Sequence, residues 1–302
     1  MLAVRRILAW SACVSLLAVA CSEPYGARPA ASHGTPASAS TTPPAGPAND
    51  APAAANDAAS DALPIAARLR YVEVILGDAK PDDRLPMIIA IHGLGDDPRN
   101  FGHLFDTFTE PARLILPQGI DPRDGGGFSW FPLRARDPDV TALAAGIGRA
   151  AEEIAASIEV LVASRNTAGK PILTGFSQGG MLTFAVAARH PELLGLALPV
   201  SGWLPPPLVP DAAAPKGAPP IVAFHGTEDG AVKYEPTKIG VEALEQHGWN
   251  VALVTYPGVG HVITPEVQRD LFDRIVDGVR EAAQSKSQSQ SKTPAPKPKE
   301  PG

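Results

Sequence analysis

Cysteine is nearly missing from this 302-residue chain: there are two, Cys13 and Cys21, both within the first 21 positions. Nothing downstream of them can form a disulfide, a thiolate metal site or a cysteine nucleophile, so a globular part must stand on its hydrophobic core alone. Positive charge is also scarce. With 26 Lys and Arg against 32 Asp and Glu, the net charge of -6 leaves no basic surplus to neutralise phosphates, which argues against nucleic acid as a partner. The apolar stretch Ile7 to Ala20 falls short of the roughly 20 residues a membrane-spanning helix needs.

Proline is abundant instead. Of its 33 copies, 18 fall in 24–63, 202–220 and the last ten positions, so the compact part is smaller than the chain. Residues 1–21 read as an export signal, with Arg5 and Arg6 as the positive end, the apolar stretch after them and small residues at its close. Ala18-Val19-Ala20 fits an ordinary signal-peptidase site. Leu17-Ala18-Val19-Ala20-Cys21 resembles a bacterial lipobox, with Ala18 where leucine is usual, and a lipid on Cys21 would tie the chain to an envelope membrane. Residues 22–63, almost all Ala, Pro, Ser, Thr, Gly, Asn and Asp, are expected to form a disordered tether, and 285–302 a disordered tail. The domain expected to fold is 64–284.

Within it, short apolar runs alternate with helical patterns, the signature of an α/β sheet. Strands are expected at Arg68 to Leu76, Pro86 to Ile91, Arg113 to Leu116, Pro171 to Thr174, Leu194 to Val200, Pro220 to Phe224 and Val251 to Tyr256. Most are apolar on both faces, as central strands of a covered sheet are. Leu143, Ile147, Ile154, Ile158 and Leu161 recur at helical intervals, although Gly146 and Gly148 weaken the first turns. Met181 to Ala188 is apolar all round, so a helix there is buried. The last helix should start with Thr264 as N-cap and Pro265 at its first position, placing Val267, Leu271, Ile275 and Val279 on one face.

Gly175-Phe176-Ser177-Gln178-Gly179 is a G-x-S-x-G sequence between an apolar strand and a buried helix. In that context the serine sits on a sharp strand-to-helix turn, and the glycines let strand and helix pass closely. Ser177 is therefore the candidate nucleophile. A hydroxyl needs a base, normally a histidine held by a carboxylate, and on such a fold the order is serine, acid, histidine. Of the four histidines after Ser177, His190 and His247 stand at helix ends, and His225 precedes every favoured acid. His261 remains, in the loop Pro257-Gly258-Val259-Gly260-His261. For the acid, Glu228 and Asp229 both follow a strand and compete, while Asp211 lies in a proline-rich loop with no strand to position it.

The two amides of an oxyanion hole should come from Gln178, next to the nucleophile, and from Leu94 in His92-Gly93-Leu94-Gly95. His92 precedes the nucleophile and is read as shaping that loop. Trp130 and Phe131 either line an acyl site or pack in the core. Trp203 and Leu204 lie in a proline-stiffened segment, 202–219, too short for a large cap, and are the other substrate-binding candidates.

Together, IHGLGDDPRNF, GFSQGGM and HGTEDGAV followed by PGVGH resemble the phospholipase/carboxylesterase family of α/β-hydrolases, which includes acyl-protein thioesterases, over roughly residues 68–283. The resemblance implies a mostly parallel sheet flanked by helices, no large cap domain, Asp229 rather than Glu228 as the acid, and Leu94 and Gln178 as oxyanion donors. It also implies hydrolysis of short or medium acyl esters, thioesters or lysophospholipids without a cofactor or metal. The export signal departs from intracellular members and argues against a cytosolic lipidated protein as substrate. Competing readings are a peptidase or an esterase of plant or polymer esters on the same fold, and a tethered binding protein without activity.

Overall fold

The computed structural model describes residues 65–285. The signal segment with Cys21, the proposed tether and nearly all of the tail lie outside the described residues.

The element order is β1 (Ile65–Ala66), β2 (Leu69–Leu76), β3 (Leu85–Ile91), α1 (Pro98–Gly102), β4 (Ala112–Pro117), β5 (Asp121–Pro122), β6 (Phe128–Ser129), α2 (Val140–Ser164), β7 (Thr167–Phe176), α3 (Gln178–Arg189), β8 (Leu196–Val200), β9 (Ile221–Gly226), α4 (Tyr234–Gln246), β10 (Val251–Tyr256) and α5 (Pro265–Gln284). All seven expected strands and all three expected helices form. The helix α1 and the β5–β6 hairpin were not anticipated. Of α4, the sequence had shown no more than an end, before Gly248.

Eight strands form one sheet in the order β1-β2-β4-β3-β7-β8-β9-β10. From β4 to β10 every neighbouring pair is parallel, while β2 runs antiparallel to β4. Because the chain leaves β3 for β4 on one side and resumes at β7 on the other, β3 and β7 flank the point where strand order reverses. Loops at the carboxyl ends of strands beside such a reversal diverge and leave a crevice for a ligand.

Alternation along the strands divides the core between two layers. In β3, Met87, Ile89 and Ile91 join one cluster with α2 and α3, through Leu143, Ile147 and Met181. Ile88 and Ala90 face the opposite cluster, which α5 closes with Val267, Leu271, Ile275 and Val279. Those four residues are the face read from their spacing, and Thr264 caps α5 by accepting the Val267 N–H. The glycines of α2 do not break it. A Cβ on Gly146 would stand 3.2 Å from that of Phe131, so the small residue makes room for an aromatic ring packed against the helix. Among the described residues no helix is long and apolar enough to cross a membrane.

Candidate active site

Ser177 stands between β7 and α3 with φ 58 and ψ -115, a conformation that costs a non-glycine residue free energy. The turn is tied down by the Ser177 N–H, which donates to the Val200 carbonyl at 3.0 Å. It also demands glycine in the first turn of the helix. A Cβ on Gly179 would lie 2.1 Å from the Ile91 carbonyl oxygen, so no side chain fits between α3 and the end of β3.

His261 reaches Ser177 from the loop after β10, its Nε2 2.9 Å from the serine Oγ. Its Nδ1 is 2.7 Å from Asp229 Oδ2. A carboxylate can only accept, so the imidazole carries its proton on Nδ1 and offers the Nε2 lone pair to the hydroxyl. The acid and histidine loops are pressed together at Gly226, where a Cβ would fall 2.1 Å from the Val259 carbonyl oxygen. Phe176 completes the support with its ring centroid 4.7 Å from that of His261.

Asp229 is 2 % exposed, yet every oxygen is engaged. Oδ1 accepts the backbone N–H groups of Ala231 at 2.9 Å and Val232 at 2.8 Å, and Oδ2 faces His261. His225 lies behind it: its Nε2 donates to the Val232 carbonyl at 2.9 Å and stands 3.5 Å from Asp229 Oδ2. Burial by itself would raise the carboxyl pKa, but His225, His261 and the Val232 amide outweigh it and hold Asp229 well below the usual carboxylate range. Glu228, one residue earlier, is exposed. The structure therefore brings Asp229, not its neighbour, to the histidine.

Leu94 and Gln178 both line the cleft over Ser177. Around Leu94 the local hydrogen bonds are formed by Gly95, which donates to the Phe128 carbonyl, and by Asp96, which donates to that of Gly93. The Gln178 amide opens α3, where a helix has no internal acceptor for it. His92 is fully buried beneath this loop: Nδ1 donates to the Gly93 carbonyl at 2.7 Å and Nε2 accepts the Gly119 N–H at 3.0 Å. Burial pushes its pKa below the usual histidine range. Its contacts are those of a loop-shaping residue.

The aromatic candidates lie elsewhere. Trp130 is 2 % and Phe131 1 % exposed, in the cluster under α2, and the Trp130 indole donates to the His92 carbonyl at 3.0 Å. Their remaining exposed edges border a separate open cleft of about 490 Å³ between Arg68 and Arg149, which shares no lining residue with the cleft over Ser177. Trp203 and Leu204 are buried under α4, whose Thr237 hydroxyl donates to the Gly202 carbonyl at 2.9 Å. None of the four lines the cleft at Ser177. Buried aromatic bulk beside flexible glycines read equally well as pocket or core, and packing against α2 and α4 made it core.

The cleft itself measures about 210 Å³ and is bordered by Leu94, Arg134, Ala135, Arg136, Met181, Ala231 and Val232 around Ser177, Gln178 and His261. Arg134 and Arg136 escaped the sequence reading because they sit in an irregular loop with no periodicity. Gln178 also has an unforeseen second role. Its side chain accepts the Trp130 N–H at 3.0 Å and donates to the Phe131 carbonyl at 2.9 Å, tying α3 to the loop that carries both arginines.

A strained serine on a strand-to-helix elbow, with acid and histidine from later strands of a mostly parallel sheet, defines an α/β-hydrolase fold. A solved structure with this fold, that of esterase PE8, aligns with a TM-score of 0.59 over 69% of this chain and 98% of its own, at 24% identity. The phospholipase/carboxylesterase family matches residues 72–275, and the chain belongs to that family. A probable carboxylesterase of Oryza sativa subsp. japonica is 33% identical over 68% of this chain and 82% of its own length. Acyl-protein thioesterase 1 of Gibberella zeae is 29% identical over 59% of this chain and 84% of its own. The protein is an ester-hydrolysing enzyme of the carboxylesterase and acyl-protein thioesterase kind.

Proposed function

We propose that the protein hydrolyses short- to medium-chain carboxylic esters, and thioesters of similar size, through an acyl-enzyme on Ser177. The observation that carries this is the continuous relay from Ser177 Oγ to His261 Nε2 at 2.9 Å and from His261 Nδ1 to Asp229 Oδ2 at 2.7 Å. As Oγ attacks the carbonyl carbon, His261 takes its proton, and the Leu94 and Gln178 amides receive the developing oxyanion. Collapse expels the alcohol or thiol, which leaves with the proton from His261. Water then attacks the acyl group with His261 again as base, and the acid departs from a regenerated serine. The small volume of the cleft and its apolar members Leu94, Ala135 and Met181 support short acyl groups over long lipid chains.

The test is a profile of para-nitrophenyl esters of rising acyl length against peptide amides, run beside Ser177→Ala and a fluorophosphonate probe. Cleavage of the shorter esters, with labelling lost in the variant, is the expected result. Labelling that survives Ser177→Ala, or cleavage of amides in preference to esters, overturns it. The reading extends to the cell: the signal at 1–21 exports the chain, and a lipid on Cys21 anchors it to a bacterial envelope membrane. Intact-mass analysis of the mature N-terminus should find an acylated cysteine there, and an unmodified mature N-terminus removes the anchor.

A further inference from the structure

Resting on that reading of Ser177, we propose that Arg134 and Arg136 make the cleft selective for esters that carry a negative charge near the scissile carbonyl, on the acyl chain or on the leaving group. The chain as a whole is acidic, with a net charge of -6. The rim of its catalytic cleft has the opposite sign: apart from His261, the charged residues lining it are these two arginines. Six other described arginines are matched to acids, among them Arg68 with Glu153, Arg113 with Glu73, Arg189 with Glu152 and Arg280 with Glu110, while several elsewhere on the surface, such as Arg99 and Arg274, are not. Neither Arg134 nor Arg136 forms an ion pair or a side-chain hydrogen bond among the described residues, and both are exposed.

The acids nearest them in the chain form no ion pair with them and accept backbone N–H groups instead. Asp137 accepts the Asp139 N–H at 3.0 Å, and Asp139 caps α2 by accepting the Ala142 N–H at 2.9 Å. Asp229 is buried, with Oδ1 taken by the Ala231 and Val232 amides and Oδ2 by His261. The arginine-bearing loop is nevertheless held in place. Gln178 grips it at Phe131 and Leu133, at 2.9 and 3.4 Å, and the Asp137 N–H closes a turn on the Arg134 carbonyl at 2.9 Å. Two guanidinium groups without an ion-pair partner, on an anchored loop beside the nucleophile, present planar donor forks suited to a carboxylate, sulfonate or phosphate. They also concentrate anions at the mouth of the cleft.

The experiment compares kcat/KM for matched ester pairs. In the acyl arm, para-nitrophenyl hexanoate is set against the mono-para-nitrophenyl ester of adipic acid. In the leaving-group arm, phenyl butyrate is set against para-butyryloxybenzenesulfonate. The anionic-to-neutral ratio is measured for the wild type, R134Q/R136Q and R134K/R136K, so intrinsic reactivity cancels between enzymes. In at least one arm the glutamine pair should lower the ratio about tenfold at low salt, with the difference shrinking as ionic strength rises. The lysine pair should keep most of the wild-type ratio. A ratio unchanged in both arms by the glutamine pair, with the enzymes folded and active, overturns the selectivity and leaves the esterase standing, as does a lysine pair that loses as much as the glutamine pair. A wild type that cleaves no ester and takes no probe at Ser177 overturns both.

Discussion

Gln178 and Trp130 are joined across two elements of the fold: the glutamine Oε1 accepts the Trp130 backbone N–H at 3.0 Å while its Nε2 donates to the next carbonyl, that of Phe131. The residue that follows Ser177 thus also fastens the loop whose Arg134, Ala135 and Arg136 line the cleft. Gln178 is 4 % exposed, so these bonds have no ready replacement in water. Substituting Gln178→Leu keeps the bulk and strands two buried backbone groups. The expected cost is about 2 kcal/mol, since a buried polar group left unpaired costs ~1–3 kcal/mol. Chemical denaturation reads it, and the same variant should lose esterase activity because the cleft wall slackens. A midpoint equal to that of the wild type refutes the clasp.

Asp229→Asn should reduce kcat by about 10⁴-fold, because a side-chain amide facing Nδ1 favours the wrong imidazole tautomer. Glu228→Gln, whose exposed side chain makes no bond to His261, should stay within about twofold of wild type. Steady-state kinetics on one short ester distinguishes the two carboxylates, and comparable losses from both would contradict the arrangement.

His92 ties stability to pH. Its folded pKa lies below the ordinary value because the ring is buried, so the folded protein holds it neutral where an unfolded chain would protonate it. The stabilisation is complete above the unfolded value of about 6.5 and declines as pH falls below it, by at most ~1.4 kcal/mol per unit, until the folded ring itself takes a proton. Between about pH 7 and 5, His92→Gln should therefore show a shallower loss of stability than the wild type. Equal slopes in denaturant titrations at those two pH values count against the argument.

Much of the fold was legible because its signals are local. The apolar run from Pro86 to Ile91 states a strand buried on both faces, and the spacing of Val267, Leu271, Ile275 and Val279 a helix buried on one. The α4 helix was missed for the complementary reason: its apolar content is low, and of its residues Thr237, Gly240, Val241 and Leu244 are the buried ones, too thin a stripe to stand out. The arginines at 134 and 136 belong to a loop with no period at all.

Residue types and chain order were enough to single out Ser177 and His261, because a strained elbow needs glycine around its serine and a base must follow its acid along such a fold. Choosing between Glu228 and Asp229 required more than adjacency. The Ala231 and Val232 amides fold back onto Asp229 and hold its carboxylate toward His261, and which of two neighbouring side chains receives such a turn depends on the path of the backbone in space. The same holds for Trp130 and Phe131. Their composition suited a pocket or a core, and it was the approach of α2, with Gly146 leaving room for the Phe131 ring, that buried them.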